Sequence, residues 1–178
     1  MTPDTPADGS DAIAFQIGQL DDPSIDSRHH AILVLAENGE AAVGPLIQSL
    51  ATADTSDRRW YRAVALARIG IPAIAPVIAA MKGNTDFEFR RYAASALGEI
   101  GEPAVEPLIE AMGSDDKELR GFLSKALCRI GKPAVDPLTR RLSDADEVIR
   151  SCATLTLWQM GETGLPSVVD LIHKEKQA

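Results

Sequence analysis

Aromatic residues are scarce in this sequence of 178 residues: Trp 2, Tyr 2 and Phe 4 make up 4% of it. A core built mainly on ring packing is therefore excluded. The hydrophobic fraction of 45% is mostly Ala, Leu, Ile and Val, which predicts small-residue helix packing. Cysteine is nearly absent. Cys128 and Cys152 are too few for a disulfide framework and lack metal-site spacing. Both are expected to be reduced packing residues in a cytoplasmic protein. Positive charge is in deficit, with Lys+Arg 18 against Asp+Glu 26 and a formal net charge of −8. Such a chain repels phosphate backbones, so a nucleic-acid partner is not expected unless arginines cluster on one face. No apolar run approaches the ~18 residues of a membrane span. The stretch Met1-Thr2-Pro3-Asp4 has neither a basic start nor an apolar segment, so no signal peptide is expected. The charged fraction of 25% beside the apolar content is that of a folded, soluble chain.

What the sequence does have is a repeat. Gly39-Glu-Ala-Ala-Val-Gly-Pro-Leu-Ile matches Gly70-Ile-Pro-Ala-Ile-Ala-Pro-Val-Ile, Gly101-Glu-Pro-Ala-Val-Glu-Pro-Leu-Ile and Gly131-Lys-Pro-Ala-Val-Asp-Pro-Leu-Thr, with a weaker copy at Gly161. These anchors are 31, 31, 30 and 30 residues apart, and Gly9 opens a degenerate first copy 30 residues before Gly39. Arg28, Arg59, Arg90, Arg120 and Arg150 each lie eleven residues before an anchor. Leu35, Leu66, Leu97, Leu127 and Leu157 each lie four before. Columns sharing one period in this way define a repeat array.

Each unit reads as two helices. Pro72, Pro103 and Pro133 suit a helix start, where the missing N–H costs nothing. Pro45, Pro76, Pro107 and Pro137 fall four residues deeper and are expected to remove a bond and bend the helix. A polar turn caps the second helix, which ends at the Gly anchor. Leu119, Leu123, Leu127 and Ile130 show its helical period. Ala31, Ala93 and Ala153 form one small-residue column, and Ala65, Ala96 and Ala126 another. One pair cannot bury its apolar face alone, so stacking is required. The expected layout is a disordered tail over 1–10, helix pairs near 11–38, 40–69, 71–100, 102–130 and 132–160, a closing helix over 164–174, and a frayed tail over 175–178.

This pattern resembles the HEAT repeat superfamily, and most nearly the short HEAT-like repeats of phycobilin-lyase-type proteins. The residues that carry the likeness are Pro76, Pro107 and Pro137, the turn residues Asp22, Asn84 and Asp144 (with Asp54 and Asp115 shifted by one), and the Arg column. The resemblance spans about residues 11–174. It implies an all-α, right-handed superhelix of about five helix pairs plus a closing helix. In such proteins the second helices line a concave surface that binds another protein. Three kinds of enzyme share this resemblance. Deoxyhypusine hydroxylases bind iron through His-Glu pairs, and this chain has no His-Glu dipeptide. HEAT-like DNA glycosylases use a basic face, which the net charge opposes. Phycobilin lyases act on a tetrapyrrole, which nothing in these residues requires.

Two candidate surfaces follow. The Arg column could form an anion-binding stripe. The matched polar turns favour an internal ladder instead, with each Arg bonded to a turn Asp or Asn. On the second helices, residues thirteen, nine, six and two before each anchor share one helical stripe. Nine before stand His30, Tyr61, Tyr92, Phe122 and Cys152. Two before stand Glu37, Arg68, Glu99, Arg129 and Gln159. The stripe also carries Glu88, Glu118 and Lys125. It can be a solvated face whose aromatics shield the seams between repeats, or a docking surface, and both can hold together. Tyr61, Tyr92 and Phe122 are the expected apolar anchors, outside the repeat core, with Arg68, Arg129, Glu88, Glu99 and Glu118 setting charge complementarity. Adjacent His29 and His30 point apart on a helix and are not expected to chelate a metal. No nucleophile–base pair is recognisable around either cysteine. The expected function is a non-catalytic protein-interaction scaffold without cofactor or metal, monomeric or weakly self-associating, with a tetrapyrrole lyase-like role as the alternative.

Overall fold

The computed structural model describes residues 9–175. Among them are eleven α-helices and no strand. In chain order they are α1 (Gly9–Gln19), α2 (Ile25–Glu37), α3 (Glu40–Thr52), α4 (Ser56–Ile69), α5 (Ile71–Gly83), α6 (Phe87–Ile100), α7 (Val105–Ala111), α8 (Lys117–Ile130), α9 (Val135–Arg140), α10 (Glu147–Gln159) and α11 (Leu165–Glu175). The fold class is all-α, built of successive helix pairs. Residues 1–8 of the expected tail lie outside the described residues, while Gly9 and Ser10 already belong to α1. Of the expected frayed end, 176–178 likewise lie outside them.

Local chemistry explains where the helices begin and end. The second helices start at Ser24, Thr55, Asp86, Asp116 and Asp146, whose side-chain oxygens accept the N–H of Ser27, Arg58, Phe89, Leu119 and Ile149. Each such cap contributes about 1 kcal/mol. The five anchor glycines have φ between 56° and 84°, a region no other described residue type enters. A Cβ is strained there, so Gly ends each second helix and turns the chain into the next repeat.

The deep prolines act differently along the chain. Pro45 and Pro76 do lie inside α3 and α5. In the next two repeats the expected single bent helix is replaced by a 3-10 turn, Glu102–Ala104 or Lys132–Ala134, followed by a short α-helix. Pro107 and Pro137 are then the third residues of α7 and α9. Their missing N–H falls in a first turn that has no intrahelical partner to lose.

The chain divides into two compact units after Ala80, within the last turns of α5. In the first unit α1 packs on α2 and α3, α3 on α4, and α2 on α4. Leu35, Leu46, Leu50 and Leu66 are fully buried there. In the second unit α6 and α7 pack on α8, α8 on α10, and α9 and α11 on α10. Leu97, Leu108, Leu127, Leu138 and Leu157 form its fully buried interior. Each buried Leu contributes roughly 1.5–3 kcal/mol of apolar transfer.

Candidate functional site

The polar turn before each second helix has a common geometry. Asp22, Asn84, Ser114 and Asp144 accept the N–H two residues on, at 2.7, 2.8, 3.2 and 3.0 Å. The carbonyl oxygens of these same four residues accept Nη1 or Nε of Arg28, Arg90, Arg120 and Arg150, at 2.5 to 2.8 Å. The Arg column therefore ties the second helix to the main chain of its own turn. Within each turn the acceptor is a main-chain carbonyl and not the expected carboxylate, while a guanidinium–carboxylate rung runs from Arg90 to Asp116 in the turn of the next repeat. The two shifted positions, Asp54 and Asp115, lie outside this geometry. Ser114, not Asp115, occupies the turn position, while Asp54 pairs with Arg58 at 3.1 Å. The register-equivalent residue beside Asp54 is Ala53, which has no side-chain acceptor; the buried Nε of Arg59 has no partner, as is also true of Arg28 Nε and Arg90 Nη1.

One member of the column reaches further. Arg90 is fully buried, donates to the Met81 and Asn84 carbonyls, and pairs with Asp116 at 2.7 Å. Glu118 lies 3.6 Å from it. The backbone N–H of Leu119, and after it the Arg90 guanidinium, holds the Asp116 carboxyl below its ordinary value. A second buried cation was not foreseen. Arg62 is 5% exposed and grips Asp21 in a two-pronged pair at 2.8 and 2.9 Å, with Nε donating to Ser49 Oγ at 2.7 Å. The signal was present in the small-residue column of Ala31, Ala93 and Ala153, which Arg62 interrupts.

The second-helix stripe separates into buried and open positions. In the first unit His30 and Arg68 are exposed, but Tyr61 is buried, edge-on to Trp60 at 4.8 Å and under Arg28 at 4.6 Å. In the second unit Tyr92 is half-buried beneath Arg91. Phe122 is buried, edge-on to Phe87 at 5.2 Å. The expectation that these three rings stand outside the core is thus corrected for Tyr61 and Phe122. A ring at that register is drawn between consecutive second helices and closes the groove there.

Charges occupy the rest of the stripe. Arg91 pairs with Glu88 at 2.6 Å and donates to the Tyr92 hydroxyl at 3.0 Å. Arg129 pairs with Glu99 across α6 and α8. A Cβ on Gly98 would come 2.7 Å from Arg129 Cδ, so glycine gives that side chain its path over α6. Lys125 sits 5.1 Å above the Phe122 ring, and no described carboxylate pairs with it. Arg91, Ser95, Phe122, Lys125 and Arg129 line a shallow cleft of about 230 Å³ between α6 and α8.

Another cleft of this unit, about 410 Å³, runs between α8 and α10. Lys117, Arg120 and Glu147 stand at its charged end, and Val148, Cys152 and Leu155 form its apolar wall. Ser124 Oγ is 2.9 Å from both Thr156 Oγ1 and Gln159 Oε1, a polar cluster that the periodicity did not suggest. Burial pushes both thiols, Cys128 and Cys152, above their ordinary value. They stay protonated at neutral pH, which makes them weak nucleophiles. Among the described residues no group of three or more His, Cys, Asp or Glu is placed to hold a metal. No described helix is long and apolar enough to cross a membrane.

Comparison with known proteins places this geometry. The family model described as HEAT repeats matches residues 45–121 and 105–177. No curated protein matches the sequence. Similar solved structures include an engineered protein, 21% identical, covering 89% of this chain and 84% of its own, at a TM-score of 0.36. They also include a computationally designed armadillo repeat protein for modular peptide recognition, 17% identical, covering 89% of this chain and 91% of its own, at a TM-score of 0.34.

Proposed function

This chain belongs to the HEAT-repeat family, and from that premise we propose that it is a non-catalytic scaffold that binds a partner protein through its second helices. One contrast carries the reading. Columns that the fold requires are filled alike and buried, as Leu97, Leu127 and Leu157 are. The columns six and two residues before the anchors hold unlike side chains, Ser95, Lys125 and Leu155 in one and Glu99, Arg129 and Gln159 in the other. Most of these are exposed, and all but Glu99 line the α6–α8 or the α8–α10 cleft. Packing does not dictate their identity, so they are free to serve recognition.

The partner is a protein and not a nucleic acid. Arg91, Lys125 and Arg129 share their surface with Glu88, Glu99 and Glu118, so it alternates in sign and offers no basic track to a phosphate backbone. A mixed surface of this kind selects a partner by charge register. The protein acts in the cytoplasm, as a monomer or weak self-associating species, and needs no cofactor.

The test is quantitative affinity capture from native extract. The wild type is compared with a Lys125→Glu, Arg129→Glu double variant, which changes only exposed side chains. The expected result is a protein retained by the wild type and depleted at least about tenfold on the variant. Equal retention by both baits rejects this face. Retention of no protein, together with binding of a free bilin by the wild type, would replace the scaffold with the tetrapyrrole-lyase alternative.

A further inference from the structure

Second helices meet at one repeated position, and comparison of that position shows a missing ring. Between α2 and α4 the residue nine before the anchor is Tyr61, 5% exposed. Between α6 and α8 it is Phe122, 3% exposed and packed on Phe87. Between α8 and α10 the same position holds Cys152. The neighbouring column, ten before the anchor, holds His29, Trp60 and Arg91 in the earlier repeats but Gly121 and Ser151 in the last two. Lys117 stands where the α6–α8 groove has Phe87. The cleft of about 410 Å³ is therefore the space left by side chains that the other repeats supply themselves.

We propose that the α8–α10 cleft is a pocket for an aromatic side chain flanked by a carboxylate, presented by a segment of the bound protein. The proposal rests on the scaffold reading above and names the chemistry its partner offers. A ring entering over Gly121 would lie against Val148, Cys152 and Leu155, as Phe122 lies in the preceding groove. Leu155 is 60% exposed and gains cover from such a ring. The Ser124, Thr156 and Gln159 cluster at the polar side can receive a phenolic hydroxyl. Lys117 and Arg120 line the cleft with the Glu147 carboxylate, and no described ion pair engages any of the three. The adjacent Asp146 carboxylate is taken up by the N–H groups of Val148 and Ile149, so the two cations are left to meet an acidic neighbour to the ring.

Two variants refill the cleft with the residues of the earlier repeats. Cys152→Phe restores the ring. Gly121→Arg restores the side chain corresponding to Arg91, and a Cβ there meets nothing within 4 Å. Amide NMR titration with 4-hydroxyphenylacetate is the direct probe, with acetate as the control that lacks a ring. The expected result is shifts at Gly121, Ser124, Ser151 and Cys152 with the aromatic acid alone. Affinity should fall at least about tenfold in either variant, with the thermal midpoint retained. If Cys152→Phe misfolds, Gly121→Arg carries the comparison. Absence of shifts at those amides, or equal affinity in a folded variant, overturns the pocket. A random displayed peptide library supplies the second readout. Enrichment of an aromatic beside Asp or Glu, lost on Cys152→Phe, supports the proposal. Peptides that bind wild type and variant alike overturn the pocket while leaving protein binding intact. Failure of the scaffold reading itself is read elsewhere, in the Lys125 and Arg129 capture experiment.

Discussion

Asp21→Asn tests how the first unit holds together. The Arg62 side chain is 6% exposed and that of Asp21 25% exposed. The pair is bound through both Nη atoms, and Ser49 and the Arg58 carbonyl take two further donors. Removing one partner of a fully buried pair costs roughly 3–5 kcal/mol, because the other charge is left in a dry site. Asp21 keeps a water-facing edge, so the expected cost is lower, about 2 kcal/mol. Arg62→Leu removes the buried charge itself, and the same register position elsewhere holds Ala31, Ala93, Leu123 and Ala153. It should cost less than about 1 kcal/mol, and adding Asp21→Asn to it should cost under about 0.5 kcal/mol more. The assay is urea unfolding read by Trp60 fluorescence in a Trp158→Phe background. Acidity gives an independent check. The hydrogen bond from Arg62 is the main reason the Asp21 carboxyl sits below its ordinary value of 3.8, with burial opposing it. A carboxyl depressed in the folded state contributes stability that is full above its unfolded value and lost as pH falls through its folded value. The gap between wild type and Asp21→Asn should therefore be open near neutrality and close as pH falls below the ordinary value of 3.8 and through the lowered folded-state value. An Asn variant within about 0.5 kcal/mol of wild type near neutrality refutes the reasoning, as does a gap that persists unchanged in acid.

Six further substitutions have expected outcomes. Phe122→Ala and Tyr61→Ala should each cost roughly 3–5 kcal/mol and Tyr92→Ala clearly less, with unfolding midpoints as the measure. Equal small losses at all three would return the rings to the surface. Arg90→Met should cost at least about 2 kcal/mol, because it leaves the Met81 and Asn84 carbonyls without their donor. Arg59→Met should cost under about 1 kcal/mol, because its Nε is buried unpaired. Similar losses from the two would show that the column acts uniformly. Gly131→Ala places a Cβ at φ 75° and should lower stability by about 1–2 kcal/mol, a fall in thermal midpoint of roughly 2–8 °C. No change would mean that the turn relaxes into another conformation.

How much of this was legible in the sequence depends on the range of the force involved. Caps and glycine turns were legible because their requirement is local: Asp116 caps α8 through its own neighbours, and Gly131 is demanded by its own φ. The leucine column was legible because one helix face determines it. Arg62 was not, since its partner Asp21 lies 41 residues away in sequence. The exposure of the rings was not legible either, because helical offset names a direction and says nothing of what lies in that direction. Tyr61 and Cys152 share an offset. One fills its groove and the other leaves it open, and the difference lies on a neighbouring helix, in the contrast between Gly121 and the larger residues of that column. In a repeat protein the information about recognition is therefore carried by pairs of columns read together. A buried column that keeps its size between repeats reports packing. A small residue facing another small residue, where earlier repeats place a ring and a long side chain, leaves apolar wall uncovered at the surface. Burial of that wall is the favourable term that only a second molecule can complete.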